Sequence, residues 1–116
     1  MATKRYDEVK LQMACVRWFD FEYPNQREML FMVNNENRSA REAARNKKMG
    51  LRRGVSDLIY HAPNGDTLFI ELKTLTGRLS KWQKIFRDKV TAHGGTYEVI
   101  REVQQFIQLI RKYNKR

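Results

Sequence analysis

The chain has 116 residues, and its 23 Lys and Arg against 13 Asp and Glu give a net charge of +10. This length is typical of one domain, so we expect a single domain over residues 1–116, and the 41% of apolar residues excludes general disorder. There is no run of about 18 apolar residues and no apolar stretch near the start, so we expect a cytoplasmic protein that is neither secreted nor membrane-spanning. Cys15 is the one cysteine, which excludes an internal disulfide and a cysteine-based zinc cluster.

The excess of positive charge predicts a polyanionic partner, and nucleic acid is the simplest candidate. Charge alone does not distinguish DNA from RNA, nor binding from cleavage. That choice depends on the motifs that the predicted helices and strands carry.

The first half of the chain predicts a helix, a strand and a second helix. Apolar residues recur at helical spacing from residue 6 to about residue 23, and Pro24 ends that helix. The apolar run 29–33 is typical of a buried strand. Ser39 is a predicted N-cap with Glu42 at the capping-box position, and the second helix extends to residue 50.

The second half of the chain predicts a hairpin followed by a helix, a strand and a last helix. Two strand-like runs, 55–61 and 67–73, are joined by a short turn-forming segment. A helix that Ser80 begins is followed by a strand over 96–100 and a helix over 103–113. The order α-β-α-β-β-α-β-α predicts an α/β fold with a mixed central sheet flanked by helices.

Charged residues interrupt both strands of the predicted hairpin. Glu71 and Lys73 alternate with apolar residues near the end of the second strand, and Asp57 interrupts the apolar first strand. A charge in such a strand is costly unless it is paired, binds a metal or faces a cleft.

The loop length decides whether the two carboxylates share a face of the sheet. A two-residue turn would pair Asp57 with Leu72 and separate the carboxylates, whereas a three-residue loop, 63–65, pairs Asp57 with Glu71. The loop sequence Pro-Asn-Gly favours the three-residue form, with Gly in the left-handed position. Asp57, Glu71 and Lys73 should therefore converge, and a divalent ion such as Mg²⁺ would relieve the repulsion between the carboxylates.

Several motifs, in this element order, resemble the PD-(D/E)XK nuclease pattern: Gly54-Val55-Ser56-Asp57, Glu71-Leu72-Lys73, and Ser80 with Gln83. More closely they resemble its VRR-NUC (virus-type replication-repair nuclease) branch, whose stand-alone members occur in phage. In that branch the N-terminal helix carries a Glu four residues before a Gln, here Glu8 and Gln12, one turn apart on one helix face. Ser56 replaces the usual proline, which is not a ligand. The resemblance covers about residues 6–102.

The resemblance implies a metal-dependent mechanism. Asp57, Glu71 and the backbone carbonyl of Leu72 would hold Mg²⁺ or Mn²⁺, which would polarise the scissile phosphate and help to ionise a water. Lys73 would orient that water or stabilise charge on the phosphate.

The other residues of the pattern would support this centre. Glu8 would act through a metal-bound water or a second metal, with Gln12 beside it on the same helix face. Gln83 would position Lys73 or the phosphate backbone. The product expected from the group has a 5′-phosphate end.

Basic residues flank the predicted site on both sides and are candidates for contacts with DNA phosphates. They are Arg38, Arg41, Arg45, Lys47, Lys48, Arg52 and Arg53 before it, and Arg78, Lys81 and Lys84 after it.

These features predict a structure-selective DNA endonuclease, either a four-way (Holliday) junction resolvase or a flap or nicking nuclease. The resemblance to stand-alone VRR-NUC domains implies that it acts as a homodimer, and the expected interface is formed by apolar residues of the first helix or of the last, such as Leu109, Ile110 and Tyr113. One alternative is a non-catalytic nucleic-acid-binding module that keeps the nuclease fold. Another, a basic ribosomal or chromosomal protein, does not explain acidic residues within strands.

The remaining conspicuous side chains are expected to be structural. Trp18, Trp82 and Phe86 should lie in the core, as should an inert Cys15. His61 and His93 are too few and too far apart for a histidine-metal nuclease motif.

Overall fold

The structure is a computed structural model that describes residues 2–33 and 36–115. Its elements, in chain order, are α1 (Ala2–Glu22), a 3₁₀ helix (Pro24–Met29), β1 (Leu30–Met32), α2 (Ala40–Lys48), β2 (Leu58–His61), β3 (Thr67–Leu72), α3 (Lys81–Ala92), β4 (Thr96–Ile100) and α4 (Val103–Lys112). The predicted order of helices and strands and the α/β class are confirmed. None of the described helices is long and apolar enough to cross a lipid bilayer.

The four strands form one mixed sheet in the order β1-β2-β3-β4. The first two pairings are antiparallel, and β3 pairs with β4 in parallel, with α3 as the crossover helix. In the hairpin, Leu58 lies opposite Ile70, and the loop is closed by a hydrogen bond from Ala62 N to Asp66 O of 2.8 Å. Gly65 has a φ of +92°. The predicted three-residue loop and its register are therefore confirmed.

One face of the sheet packs against α1 and α4 to form the hydrophobic core. Alternation along β3 directs Leu68, Ile70 and Leu72 into this core. Phe19 of α1 and Phe106 of α4 are fully buried there. Phe69 and Glu71, which alternate with the core residues of β3, therefore face the opposite side of the sheet, which α3 covers.

The core corrects one expectation about the last helix. Leu109 is 9% exposed and Ile110 is 0% exposed, and Tyr113 packs against the same cluster. Leu109 and Ile110 are thus used inside the chain, because they lie on the face of α4 that covers the sheet. They are not available as a dimer interface.

The position of Trp82 corrects another expectation. Phe86 of α3 packs against Phe69 and Tyr97, with ring centroids 5.4 and 6.1 Å apart, as its predicted core role requires. Trp82, one turn earlier, is 43% exposed. The first turn of α3 lies over the polar end of β3, where Gln83 donates to Glu71, and the described neighbours of the indole are the cations of Arg53 and Lys81.

Two smaller differences concern the first half of the chain. The 3₁₀ helix after Pro24 was not predicted, and it includes Met29, which was expected in a strand. Ser39 caps α2 as predicted by accepting a hydrogen bond from Glu42 N, but the Glu42 carboxylate accepts from the backbone and side chain of Arg38 instead of from Ser39 N. The capping box of α2 is therefore only half formed.

Candidate active site

Two carboxylates lie side by side on the α3 face of the sheet. The hairpin register that pairs Leu58 with Ile70 brings Asp57, one residue before β2, opposite Glu71 of β3. Asp57 is half-buried, and its Oδ2 accepts a hydrogen bond of 2.8 Å from Leu72 N. A backbone donor on the neighbouring strand therefore fixes the Asp57 side chain beside Glu71.

Glu71 is buried, with 2% of its surface exposed. Its Oε2 accepts a hydrogen bond of 2.9 Å from Gln83 Nε2 and lies 3.8 Å from Lys73 Nζ. Its Oε1 has no hydrogen-bond partner among the described residues. A buried carboxylate with one unsatisfied oxygen is costly, and it suits a site whose positive partner is a bound cation.

The electrostatics of Glu71 reflect this arrangement. Burial and the negative charge of the neighbouring Asp57 carboxylate raise the pKa of Glu71 to about 8. The positive charge of Lys73 opposes this shift, and the negative charge of Glu8 adds to it. The half-buried Glu8 of α1 therefore lies within electrostatic range of Glu71, and its part in the site stays a prediction.

Gln83 is held by the N-terminus of its own helix. Ser80 and Gln83 form a complete capping box, in which Ser80 N donates to Gln83 Oε1 at 2.8 Å and Gln83 N donates to Ser80 Oγ at 3.2 Å. Because the cap uses Oε1, the amide nitrogen is oriented towards Glu71. The helix cap thus couples the start of α3 to the carboxylate pair.

The described contact of Gln12 is with β1 and not with this cluster. Its Nε2 is 3.7 Å from the sulfur of Met32 in β1, and no described contact joins it to the carboxylates. The structure therefore brings together Asp57, Glu71, Lys73 and Gln83, with Glu8 in electrostatic range of Glu71 and Gln12 one helical turn beyond Glu8.

All the basic residues predicted to contact DNA are exposed: Arg38, Arg41, Arg45, Lys47, Lys48, Arg52, Arg53, Arg78, Lys81 and Lys84. Arg38 and Arg45 lie 3.2 and 3.7 Å from Glu42 Oε1, and the hydrogen bonds from Arg38 lower the pKa of Glu42. α2 has no buried residue, so its charges are presented to solvent.

Two residues at this site were not predicted from the sequence. The Tyr97 hydroxyl of β4 is buried and has no hydrogen-bond partner among the described residues, and burial and the charges of Glu71 and Asp57 raise its pKa. Arg101 Nη1 donates to the carbonyls of Thr74 and Gly77, both at 2.7 Å, and so fixes the loop between β3 and α3. The alternation of side chains along β4 could have indicated Tyr97 from the sequence, because it places Tyr97 on the face of the sheet opposite to Ile100.

The residues present suit a hard divalent cation, although the described residues contain no ready-formed group of three or more His, Cys, Asp and Glu. Asp57 and Glu71 supply carboxylate oxygens, which Mg²⁺ prefers, and Mg²⁺ commonly keeps waters alongside one or two carboxylates. Glu71 Oε1, which accepts no hydrogen bond from the described residues, is the oxygen best placed to bind such a cation.

Comparisons with known proteins agree with the fold and the motifs. A family model described as VRR-NUC domain matches residues 4–104, which include every residue of the cluster. A solved structure described as a VRR_NUC domain protein superimposes with a TM-score of 0.75 over 91% of this chain and 86% of the other, at 20% identity. At that identity the likeness shows the fold alone. No curated protein matches the sequence significantly.

Proposed function

Because the chain belongs to the VRR-NUC family, we propose that it is a metal-dependent endonuclease that hydrolyses the phosphodiester bonds of DNA. Membership establishes a nuclease domain, and a nuclease domain binds nucleic acid. The observation that carries the finer proposal is the buried pair of Asp57 and Glu71, with Lys73 beside it and one Glu71 oxygen unsatisfied.

Asp57, Glu71 and the Leu72 carbonyl would hold Mg²⁺ or Mn²⁺. When bound, the ion would polarise the scissile phosphate and lower the pKa of an attacking water. The two carboxylates repel each other without a cation, and this repulsion favours ion binding. The hydrogen bond from Leu72 N already holds Asp57 beside Glu71, where it would bind the ion.

The remaining residues of the cluster would act on the substrate or on the ligands. Lys73 would orient the water or stabilise negative charge that develops on the phosphate, because its ammonium already lies 3.8 Å from Glu71 in a largely buried position. Gln83 would hold Glu71 in its ligating orientation through the cap of α3. Glu8 would act through a water or a second ion.

Selectivity for DNA structure and action as a homodimer are further parts of this proposal. A VRR-NUC domain matched over residues 4–104 has little surface of its own for reading sequence, which favours recognition of a four-way junction, a flap or a nick. The residues that the structure describes contain one cluster of this kind, so cleavage of both strands at a junction would need two copies.

The test is a cleavage assay on plain, nicked, flap and four-way DNA of the same sequence, with Mg²⁺, Mn²⁺ or EDTA. We expect cleavage that requires the metal, leaves 5′-phosphate ends and falls by at least about 100-fold in Asp57→Ala and Lys73→Ala. Lys89→Ala, which removes an exposed lysine from the last turn of α3, is the matched control and should cleave normally.

DNA binding provides the second measurement. Both active-site variants should bind DNA nearly as well as the wild type, because the exposed basic residues are unchanged. Binding without cleavage of any of the four DNAs would contradict the proposal and favour the non-catalytic module.

A further inference from the structure

We infer that the indole of Trp82 is a platform on which an unpaired nucleobase stacks beside the cleavage site. This inference rests on the proposed function, because it names the feature of DNA that the same site would select. It concerns three neighbouring side chains, Trp82, Arg53 and Lys81, here called the Trp82 cluster.

The Trp82 cluster combines an exposed aromatic ring with two cations. The side chain of Trp82 is 43% exposed. Arg53 Cζ lies 5.0 Å from the ring centroid, and Lys81 Nζ lies 5.5 Å from it. An aromatic ring among basic side chains is the combination with which proteins bind single-stranded nucleic acid, where bases stack on the ring and cations contact phosphates.

The backbone ties this ring to the carboxylate site from two directions. A Cβ atom added at Gly54 would lie 2.3 Å from the Trp82 carbonyl oxygen, so the chain just before Asp57 is in direct contact with the first turn of α3. Gln83, the next residue after Trp82, donates its hydrogen bond to Glu71. The backbone of Trp82 is therefore fixed between the residue pair 54 and 83 that flanks the carboxylate site, and its indole extends from there to Arg53, three residues before Ser56.

This position favours DNA that has an unpaired base. In a continuous duplex both faces of each base are covered by its neighbours, and removing a base from the stack costs a few kcal/mol. At a flap, a gap or an open junction a base face is already free, so stacking on Trp82 carries little of that cost. The Trp82 cluster would thus contribute to cleavage of branched DNA and not of plain duplex.

A purely structural role predicts a different behaviour. If the indole only covers the Arg53 side chain, its removal would lower stability, or change the cleavage of every DNA by the same factor. The two roles therefore differ in the ratio of branched to duplex cleavage and in whether the ring itself contacts DNA.

The first test uses tryptophan fluorescence without added metal, in EDTA, so that no DNA is cut. The chain has only two tryptophans, and Trp18 packs against Tyr23 and Phe106. In Trp18→Phe, where Trp82 is the only reporter, we expect quenching by an oligo(dT) strand and little change with a saturating blunt-ended duplex of two fully paired strands. Trp82→Phe, which leaves Trp18, should respond to neither DNA. If Trp18→Phe does not fold, the difference between the wild type and Trp82→Phe gives the same signal.

The second test compares cleavage of flap DNA with cleavage of nicked duplex that lacks unpaired bases. We expect Trp82→Ala to lower the flap-to-nick rate ratio about tenfold, and Trp82→Phe, which keeps a ring, to change it less than about threefold. Phe21→Ala is the control, because it removes another exposed aromatic ring, 83% exposed, at the end of α1. It should leave the ratio unchanged.

Failure of the inference and failure of the proposed function give different results. Metal-dependent cleavage with an unchanged ratio in Trp82→Ala, or without quenching of Trp82 by oligo(dT), would overturn the inference and leave the nuclease proposal standing. Quenching of Trp82 by oligo(dT) alone, in a protein that cuts no DNA, would support the platform and refute the nuclease.

Discussion

Glu71 is a buried acid whose protonation should control the stability of the metal-free protein. Its pKa is raised from 4.5 to about 8, so between these values the unfolded chain releases a proton that the folded chain retains. Stability is therefore greatest below about pH 4.5, as far as this residue is concerned, and is lost as the pH rises towards about 8. The slope for one such group is at most about 1.4 kcal/mol per pH unit.

We predict that urea unfolding in EDTA shows this loss between pH 5 and pH 8, the range bounded by the two pKa values. Glu71→Gln should remove this part of the slope and be more stable than the wild type at pH 8. Added Mg²⁺ should recover stability of the wild type at pH 8 and not that of Glu71→Gln. Equal slopes in the two proteins would show that Glu71 does not titrate in this range.

Tyr60 and Tyr97 provide a second prediction, because both side chains are shielded from solvent but only the Tyr60 hydroxyl has hydrogen-bond partners among the described residues. The Tyr60 hydroxyl donates to Gln26 Oε1 and accepts from Asn114 Nδ2. The Tyr97 hydroxyl has no partner among the described residues. We expect Tyr60→Phe to cost about 1–2 kcal/mol of unfolding free energy, and Tyr97→Phe to be neutral or stabilising in the metal-free protein. Urea unfolding of both variants measures this difference, and a cost at Tyr97 equal to that at Tyr60 would contradict it.

At the level of secondary-structure elements, Gly54 and Gly65 both have a positive φ, but a side chain at Gly54 would also clash with a neighbouring helix. Gly65 in the hairpin loop has nothing within 4 Å of an added Cβ, whereas at Gly54 the added atom would meet the backbone of Trp82 at 2.3 Å. Gly65→Ala should therefore cost only the strain of a left-handed residue, about 1–2 kcal/mol.

Gly54→Ala should cost at least twice as much as Gly65→Ala, because the start of α3 must move. That movement would also separate Gln83 from Glu71, so we expect Gly54→Ala to lose most cleavage even where it remains folded. Thermal unfolding and the cleavage assay check both parts. Equal stability losses in the two variants would show that the contact between Gly54 and α3 is not close.

The hairpin was predictable from sequence because its determinants are local. A Pro-Asn-Gly loop sets the register, and the register alone places Asp57 opposite Glu71. The capping box of Ser80 and Gln83 is likewise a contact between residues three apart. Local chemistry therefore predicted both the pairing and the start of α3.

The features that were mispredicted depend on how distant elements pack. The apolar spacing of α4 shows that Leu109 and Ile110 share a face, but not whether that face meets the sheet or a second copy. Trp82 is apolar and at helical spacing with Phe86, yet only the position of α3 over the polar end of β3 shows that it is exposed. Tyr97 required the parallel register of β3 and β4, which no turn encodes.

For the whole molecule, positive charge predominates on the exposed surface, whereas the candidate active site contains buried negative charge. The predicted DNA contacts are exposed cations, whereas Glu71 is a buried acid beside Asp57. A chain with a net charge of +10 attracts a polyanion at long range, and a cation held by Asp57 and Glu71 would neutralise carboxylates that would otherwise repel a phosphate at the site. DNA binding should therefore depend strongly on salt.

The last prediction assigns part of this salt dependence to α2. Each phosphate contact contributes about 0.9 to the slope of log K against log salt concentration, so Arg41→Gln with Lys48→Gln should reduce the slope by about 1.8. Stability should not change, because α2 has no buried residue. Fluorescence anisotropy of plain duplex in EDTA, from 50 to about 200 mM KCl, measures the slope. Lys89→Gln with Lys112→Gln removes the same charge from the ends of α3 and α4 and is the control. An equal slope change in both double variants would mean that net charge, and not contact along α2, determines the salt dependence.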